Sequence, residues 1–241
     1  MKKIISLAFS FCFFLQHGFA GGSLSFDGAD DYVSIGQVHY PESLTISAWI
    51  KSTTVAAGVK SIISDSDSMS GRTYQLEINR TAARVTFVHG ITVVVTSNTD
   101  LIANTWYHVV LVRSGVTGNW SATIYLNGIA DGTATSAGNP NTSVNDASIG
   151  RDPGGGGAGR NFPGLIADVH IYNRAMSASE VLELYSCSNS IFDALVGFWT
   201  FTDSMFAIDL SVNRRHGRFV GGSVTPSSDG PPINLCNGGA Q

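Results

Sequence analysis

Short runs of alternating or β-branched residues, each closed by Gly, Asn, Asp, Ser or Pro, recur along almost the whole chain, and this spacing leaves few architectures open. The runs are Ser23–Phe26, Tyr32–Ile35, Leu44–Lys51, Ser61–Ser64, Thr73–Ile78 and Arg84–His89. They continue with Thr92–Thr96, Trp106–Arg113, Ser121–Leu126, Ala147–Ile149 and Gly164–Tyr172. Short strands punctuated this often form a sandwich or a barrel, because each must bury a face against another layer. In Leu44–Lys51, Ile46, Ala48 and Ile50 fall on one face and Ser47 and Trp49 on the other. Both faces are therefore partly covered, as in a two-layer sandwich.

The turns agree. Asn127-Gly128, directly after Ser121–Leu126, is the pair that tolerates positive φ at both centres of a type I′ hairpin. Residues 152–164 hold Pro-Gly-Gly-Gly-Gly and then Gly-Arg-Asn-Phe-Pro-Gly. A phosphate-cradling loop needs a helix directly behind its glycines; a strand pattern follows here, which argues for a plain surface loop. One helix is predicted. Ser177-Ala178-Ser179-Glu180 is a capping box, and Val181, Leu184 and Tyr185 make a short apolar stripe behind it, to about Cys187. Its expected role is a clip on the sandwich.

The first 20 residues read as a leader. Met1-Lys2-Lys3 is positive, Ile4 to Gln16 is largely apolar, and Gly18-Phe19-Ala20 sets small residues at the −3 and −1 positions of a signal-peptidase site. The stretch falls short of the ~20 apolar residues of a membrane anchor, and Cys12 lacks a lipobox. The expectation is a protein cleaved after about Ala20, with no membrane span in the mature chain, and secreted or otherwise extracytoplasmic (periplasm or cell surface). Cleavage removes Cys12 and leaves Cys187 and Cys236, an even count that suggests one disulfide in an oxidising compartment. It also removes Lys2 and Lys3, taking the formal charge from −4 to −6. With no basic stripe, no nucleic-acid partner is expected.

Three stretches, in order, carry a family likeness. The first is Leu24-Ser25-Phe26-Asp27-Gly28-Ala29-Asp30-Asp31-Tyr32-Val33 with Leu44-Thr45-Ile46-Ser47-Ala48-Trp49-Ile50-Lys51. The second is Asn104-Thr105-Trp106-Tyr107-His108-Val109-Val110 with Ile124-Tyr125-Leu126-Asn127-Gly128. The third is Ser148-Ile149-Gly150-Arg151-Asp152 with residues 162–176, Phe162-Pro163-Gly164-Leu165 through Arg174-Ala175-Met176. Together they resemble the laminin-G-like jelly-roll family of the concanavalin A-like lectins and glucanases, and more distantly the pentraxins. The resemblance implies an all-β, two-sheet antiparallel jelly-roll sandwich over residues 21–186, with one short helix on its C-terminal side. Residues 187–241 follow as a disulfide-linked extension. Within it, Leu195–Phe201 and Ile208–Gly217 look like the segment that normally opens the family's fold, ahead of the Phe-Asp-Gly strand. A lone apolar strand cannot stand free in water, so this tail is expected to pack on the same sandwich.

The chemistry points to binding. A retaining glycosidase needs two carboxylates about 5 Å apart, and related glucanases carry them as Glu-x-Asp-x-x-Glu. Glu42, Glu77, Glu180 and Glu183 are the only glutamates, and none stands in such a motif. No catalytic residue is therefore assigned. Calcium is the expected ligand ion, since acidic loops supply its six to eight oxygens. Asp27, Asp30 and Asp31, with Asp168, could share one end of the sandwich; the Asp168 position resembles the structural calcium ligand of related glucanases. Asp65, Asp67 and Asp152 form a rim candidate that resembles the calcium loops of pentraxins, without the pentraxin run of Glu, Gln and Asp. Turn or cap chemistry is the alternative for any one Asp. Trp49 and Trp106 read as core or interface aromatics, His108 as a hydrogen-bonded core residue, and Trp120 and His89 as candidates to stack on sugar rings. The expected function is a non-catalytic binding module for a glycan or an extracellular protein. A structural or adhesive subunit, and a relative of glycoside hydrolases, are the alternatives.

Overall fold

The computed structural model describes residues 22–38, 42–56, 58–68, 70–79, 81–116, 118–136, 143–154, 160–186, 191–203 and 205–232. The predicted leader and both Cys187 and Cys236 lie outside the described residues. In chain order the strands are β1 (Ser23–Asp27), β2 (Tyr32–Ser34), β3 (Leu44–Ser52), β4 (Lys60–Ser66), β5 (Arg72–Ile78) and β6 (Val85–His89). Next come β7 (Thr92–Thr96), β8 (Tyr107–Val116), β9 (Asn119–Leu126), β10 (Ile129–Ser136), β11 (Ser148–Ile149) and β12 (Pro163–Tyr172). Helix α1 (Ala178–Ser186) precedes β13 (Leu195–Thr200), β14 (Phe206–Asp209), β15 (Gly217–Val220) and β16 (Thr225–Ser227).

The first sheet runs β10-β9-β8-β3-β12, and the free edge of β12 is shared: β1 pairs with its first half and β13 with its second. The second sheet runs β15-β2-β11-β4-β5-β6-β7. β14 pairs with β13 on one side and β15 on the other, so it joins the two layers. All pairings are antiparallel. Between the layers lies one core, with Leu24, Phe26, Ile46, Ala48, Ile50, Tyr74, Leu76, Phe87, Ile124, Ile166 and Trp199 among its members. The described residues after 186 are built into it. β13 pairs with β12, β15 with β2 and β16 with β1, and Trp199 is fully buried with its indole Nε1 donating to Arg215 O at 2.7 Å. Truncating a buried aromatic of this size costs about 3–5 kcal/mol, so this tail is part of the core.

Local chemistry accounts for the connections. Asn127 and Gly128 have φ of 50° and 80°, as a two-residue primed turn between β9 and β10 requires. The capping box forms: Ser177 N donates to Glu180 Oε2 at 2.8 Å and Glu180 N to Ser177 Oγ at 3.3 Å. Arg174 adds a bidentate bond to the same carboxylate, which is held down to about 2, chiefly by that guanidinium. Val181 of α1 then packs with Val110, Val112, Tyr125, Tyr172 and Phe198 on the outer face of the first sheet. Under this cover His108 Nε2 meets Ser47 Oγ at 2.8 Å, and the ring lies between Trp49 (5.0 Å) and Tyr185 (5.8 Å). Burial pushes His108 down to about 3. Among the described residues α1 is the one helix, and it lies over the first sheet. Among the described residues no helix is long and apolar enough to cross a membrane.

Candidate binding face and acidic rim

The second sheet presents opposite chemistries on its two faces, and strict alternation along each strand produces them. One cross-strand row, Val33, Ile149, Ile63, Leu76 and Phe87, is apolar and faces the core. The neighbouring row, Ser34, Ser148, Ser64 and Gln75, faces outward. A second outward row is Ser61, Glu77, Thr86 and Thr96. Ser61, Ser64, Gln75, Thr86 and Ser148 are nevertheless buried, and Glu77 is only 5 % exposed. Four side-chain atoms here have no hydrogen-bond partner: Ser61 Oγ, Gln75 Nε2, Gln75 Oε1 and Glu77 Oε2. Each buried group left unpaired costs about 1–3 kcal/mol.

Charged side chains border these rows. Asp152 Oδ2 accepts from Arg72 Nη2 at 2.8 Å and from Arg160 Nη1 at 3.1 Å, while its Oδ1 accepts from Ser64 and Ser66. Asp152 and Arg160 stand on either side of the glycine-rich segment, so its flanks meet over this face. Burial pushes Glu77 up to about 7, against the pull of Arg160 and Arg72. Its carboxyl is thus near its midpoint at neutral pH, and Thr86 Oγ1 donates to its Oε1 at 3.4 Å.

The acidic rim lies in the turn between β1 and β2. Carboxylate oxygens of Asp27, Asp30 and Asp31 lie within 4.8 Å of one another, close enough to share one Ca²⁺ at the usual 2.3–2.6 Å. Asp31 is buried and shapes the turn: its Oδ2 accepts from Asp27 N at 3.0 Å and its Oδ1 from Ser223 N at 3.1 Å. A side chain at Gly221 (φ +103°) would collide with that carboxylate. Asp27 is held below the ordinary value, first by the Ala29 backbone N–H, which donates to its Oδ1 at 2.7 Å.

The other expected ligands are dispersed. Asp168 does not join the rim: Asp27 pairs with Pro163, and five further residues of strand separate them by about 16 Å. Asp168 instead occupies a β-bulge, where Asp168 and Val169 together oppose Ala48, with φ of 56°. Its Oδ1 is buried without a partner, and burial raises its pKa. Asp65, Asp67 and Asp152 do not converge either. Asp65 pairs with Tyr74 on the core side of β4, whereas Ser64, one residue earlier, meets Asp152 on the outer side. Two guanidinium groups already neutralise Asp152. Asp67 closes its own turn, accepting from Ser68 Oγ and from Val144 N. Trp120 is 5 % exposed and packs edge-on against Phe87 and His89, so neither Trp120 nor His89 offers a ring to a sugar. Trp106 is half-buried and donates to Asp229 Oδ1 at 3.1 Å. The polar pair Gln75 and Glu77 was missed by sequence reasoning, although Tyr74-Gln75-Leu76-Glu77-Ile78 alternates and puts both on one face.

Comparison with known proteins agrees with this architecture. The family model described as the concanavalin A-like lectin/glucanases superfamily, laminin-G-like, matches residues 27–182. No curated protein matches. A Bacteroides ovatus protein proposed to bind carbohydrate superposes with a TM-score of 0.63 at 18% identity, covering 86% of this chain and 59% of its own, so this chain spans little more than half of it. A heptameric SAP-like pentraxin of Limulus polyphemus gives a TM-score of 0.58 at 20% identity, over 71% of this chain and 84% of its own. The CBM40 of a Ruminococcus gnavus IT-sialidase, solved with α2,3-sialyllactose, gives 0.50 at 14% identity, over 68% of this chain and 96% of its own. At these identities the structural likenesses speak for the fold. The chain belongs to the concanavalin A-like lectin/glucanase superfamily, as a laminin-G-like member.

Proposed function

We propose that this protein is an exported, non-catalytic carbohydrate-binding module. The observation that carries this is the lectin-type sandwich, which the family model matches over residues 27–182. Two of the structural neighbours are described as carbohydrate binders, which supports the same reading. The leader-like first 20 residues support export. Asp27, Asp30 and Asp31 are the residues that would hold a calcium ion, whose role there is to brace the turn between β1 and β2. Binding is preferred over hydrolysis because the carboxylate nearest in charge to Glu77, Asp152, is tied to Arg72 and Arg160. A glycan array probed with the wild-type protein tests the reading: reproducible signal on a defined set of glycans supports it, and an empty array refutes it.

A further inference from the structure

The edge of the first sheet beside β1 is closed by the chain's own tail. β16 pairs with β1 alone, Ser23 with Ser227, Leu24 with Pro226 and Ser25 with Thr225, and among the described residues no strand lies beyond it. Proline has no N–H, so the ladder bonds to β1 run through Thr225 and Ser227, opposite Ser25 and Ser23. The backbone of Pro226 therefore points away from β1, and a strand arriving there meets no donor at that position. Open strand edges are templates for pairing with another chain, and proline is one of the devices that blunts them.

The three residues of β16 do not hold themselves in place unaided. Just beyond them, Asp229 fastens the tail at three points. Lys51 Nζ meets Asp229 Oδ2 at 2.7 Å, Trp106 Nε1 donates to Asp229 Oδ1 at 3.1 Å, and Ser23 Oγ donates to the Asp229 backbone oxygen. The register Ser25, Leu165, Lys51 sets β12 between β1 and β3. The tail thus folds back over the outer face of the first sheet to reach Lys51 of β3 and Trp106 at the start of β8.

We infer that residues 225–229 are a clasped cap on the first sheet, in which Pro226 denies the edge to a strand of a second copy and Asp229 is the latch that keeps the cap closed. A second copy is the partner to be excluded, because it presents the same edge and two such edges pair antiparallel about a two-fold axis. An assembly built by strand addition would leave this edge open.

Two variants of the protein comprising residues 21–241 test the cap and its latch. Lys51 and Asp229 are 24% and 46% exposed, so water screens their attraction and the latch is a modest one. In Asp229→Ala, amide hydrogen exchange at Ser23, Ser25, Thr225 and Ser227 should quicken roughly tenfold, the range of a half-exposed ion pair with one neutral hydrogen bond. Amides of β5 should keep their rates. Pro226→Val restores an outward N–H; its mass by light scattering should climb from one chain toward two as concentration rises, while wild type stays at one. Exchange that is unchanged at the four amides, or that quickens equally throughout the sandwich, would overturn the latch. A Pro226→Val protein that keeps the mass of one chain at the highest concentration would overturn the cap.

Discussion

Ser61 of β4 stands directly across from Glu77 of β5, and Ser61 Oγ and Glu77 Oε2 are both buried with no hydrogen-bond partner. Two residues along β5, Gln75 has neither amide atom paired. Interiors rarely leave polar atoms unpaired, so these three side chains cost stability where they stand.

This arrangement forecasts a gain in stability when the unpaired groups are removed. Gln75→Leu removes two unpaired polar atoms and keeps the side-chain volume similar. It should raise stability by about 1 kcal/mol, because an unmet desolvation cost disappears. Thermal melts of the variant and the wild type check this. A variant that melts several degrees lower would mean that Gln75 is bonded in the folded protein.

Glu77 gives a pH signature of defined sign. Its folded value of about 7 exceeds the ordinary 4.5, so between these values the folded chain keeps a proton that the unfolded chain releases. Stability therefore falls as pH rises from about 4.5 to 7, by roughly 3 kcal/mol at most. His108, pushed down to about 3 from 6.5, works the other way and costs stability as pH falls below 6.5. The difference between Glu77→Gln and wild type isolates the first effect. The variant's melting-temperature advantage should be small at about pH 5 and grow to a plateau by about pH 8. An advantage independent of pH would contradict a raised Glu77.

Features set by neighbouring residues were legible in the sequence. Asn127-Gly128 specifies its hairpin and Ser177 with Glu180 its helix start, since each depends on groups within a few residues. The sandwich itself was legible from alternation. Burial was less so: Trp120 lies near a strand end in the sequence, yet the second layer places Phe87 and His89 against it. Asp65 and Asp152 read together as one rim candidate, and only the register of β4 against β5 shows that Asp65 faces the core. Asp168 reads as a rim ligand from the family resemblance, while its distance from the rim comes from the pairing of Asp27 with Pro163, and its bulge from the pairing of β12 with β3. Glu77 reads as an ordinary surface glutamate until the segment carrying Asp152 and Arg160 is folded over it.

The acidic rim makes its own forecast. If Asp27, Asp30 and Asp31 hold calcium, millimolar calcium should raise the melting temperature, with about 2.7 kcal/mol expected at a hundredfold excess over Kd. Asp30→Ala, which removes an exposed carboxylate, should weaken that response, and Asp168→Ala should leave it in place. A wild-type melt indifferent to both calcium and a chelator would reduce the three aspartates to turn residues.

Carbohydrate binding itself is tested most directly by nuclear magnetic resonance. ¹⁵N-labelled protein comprising residues 21–241 would be titrated with the glycan that gives the strongest array signal. A contiguous set of backbone amides should shift together along one saturable curve. Amides that stay unmoved at saturating glycan would contradict a carbohydrate-binding module.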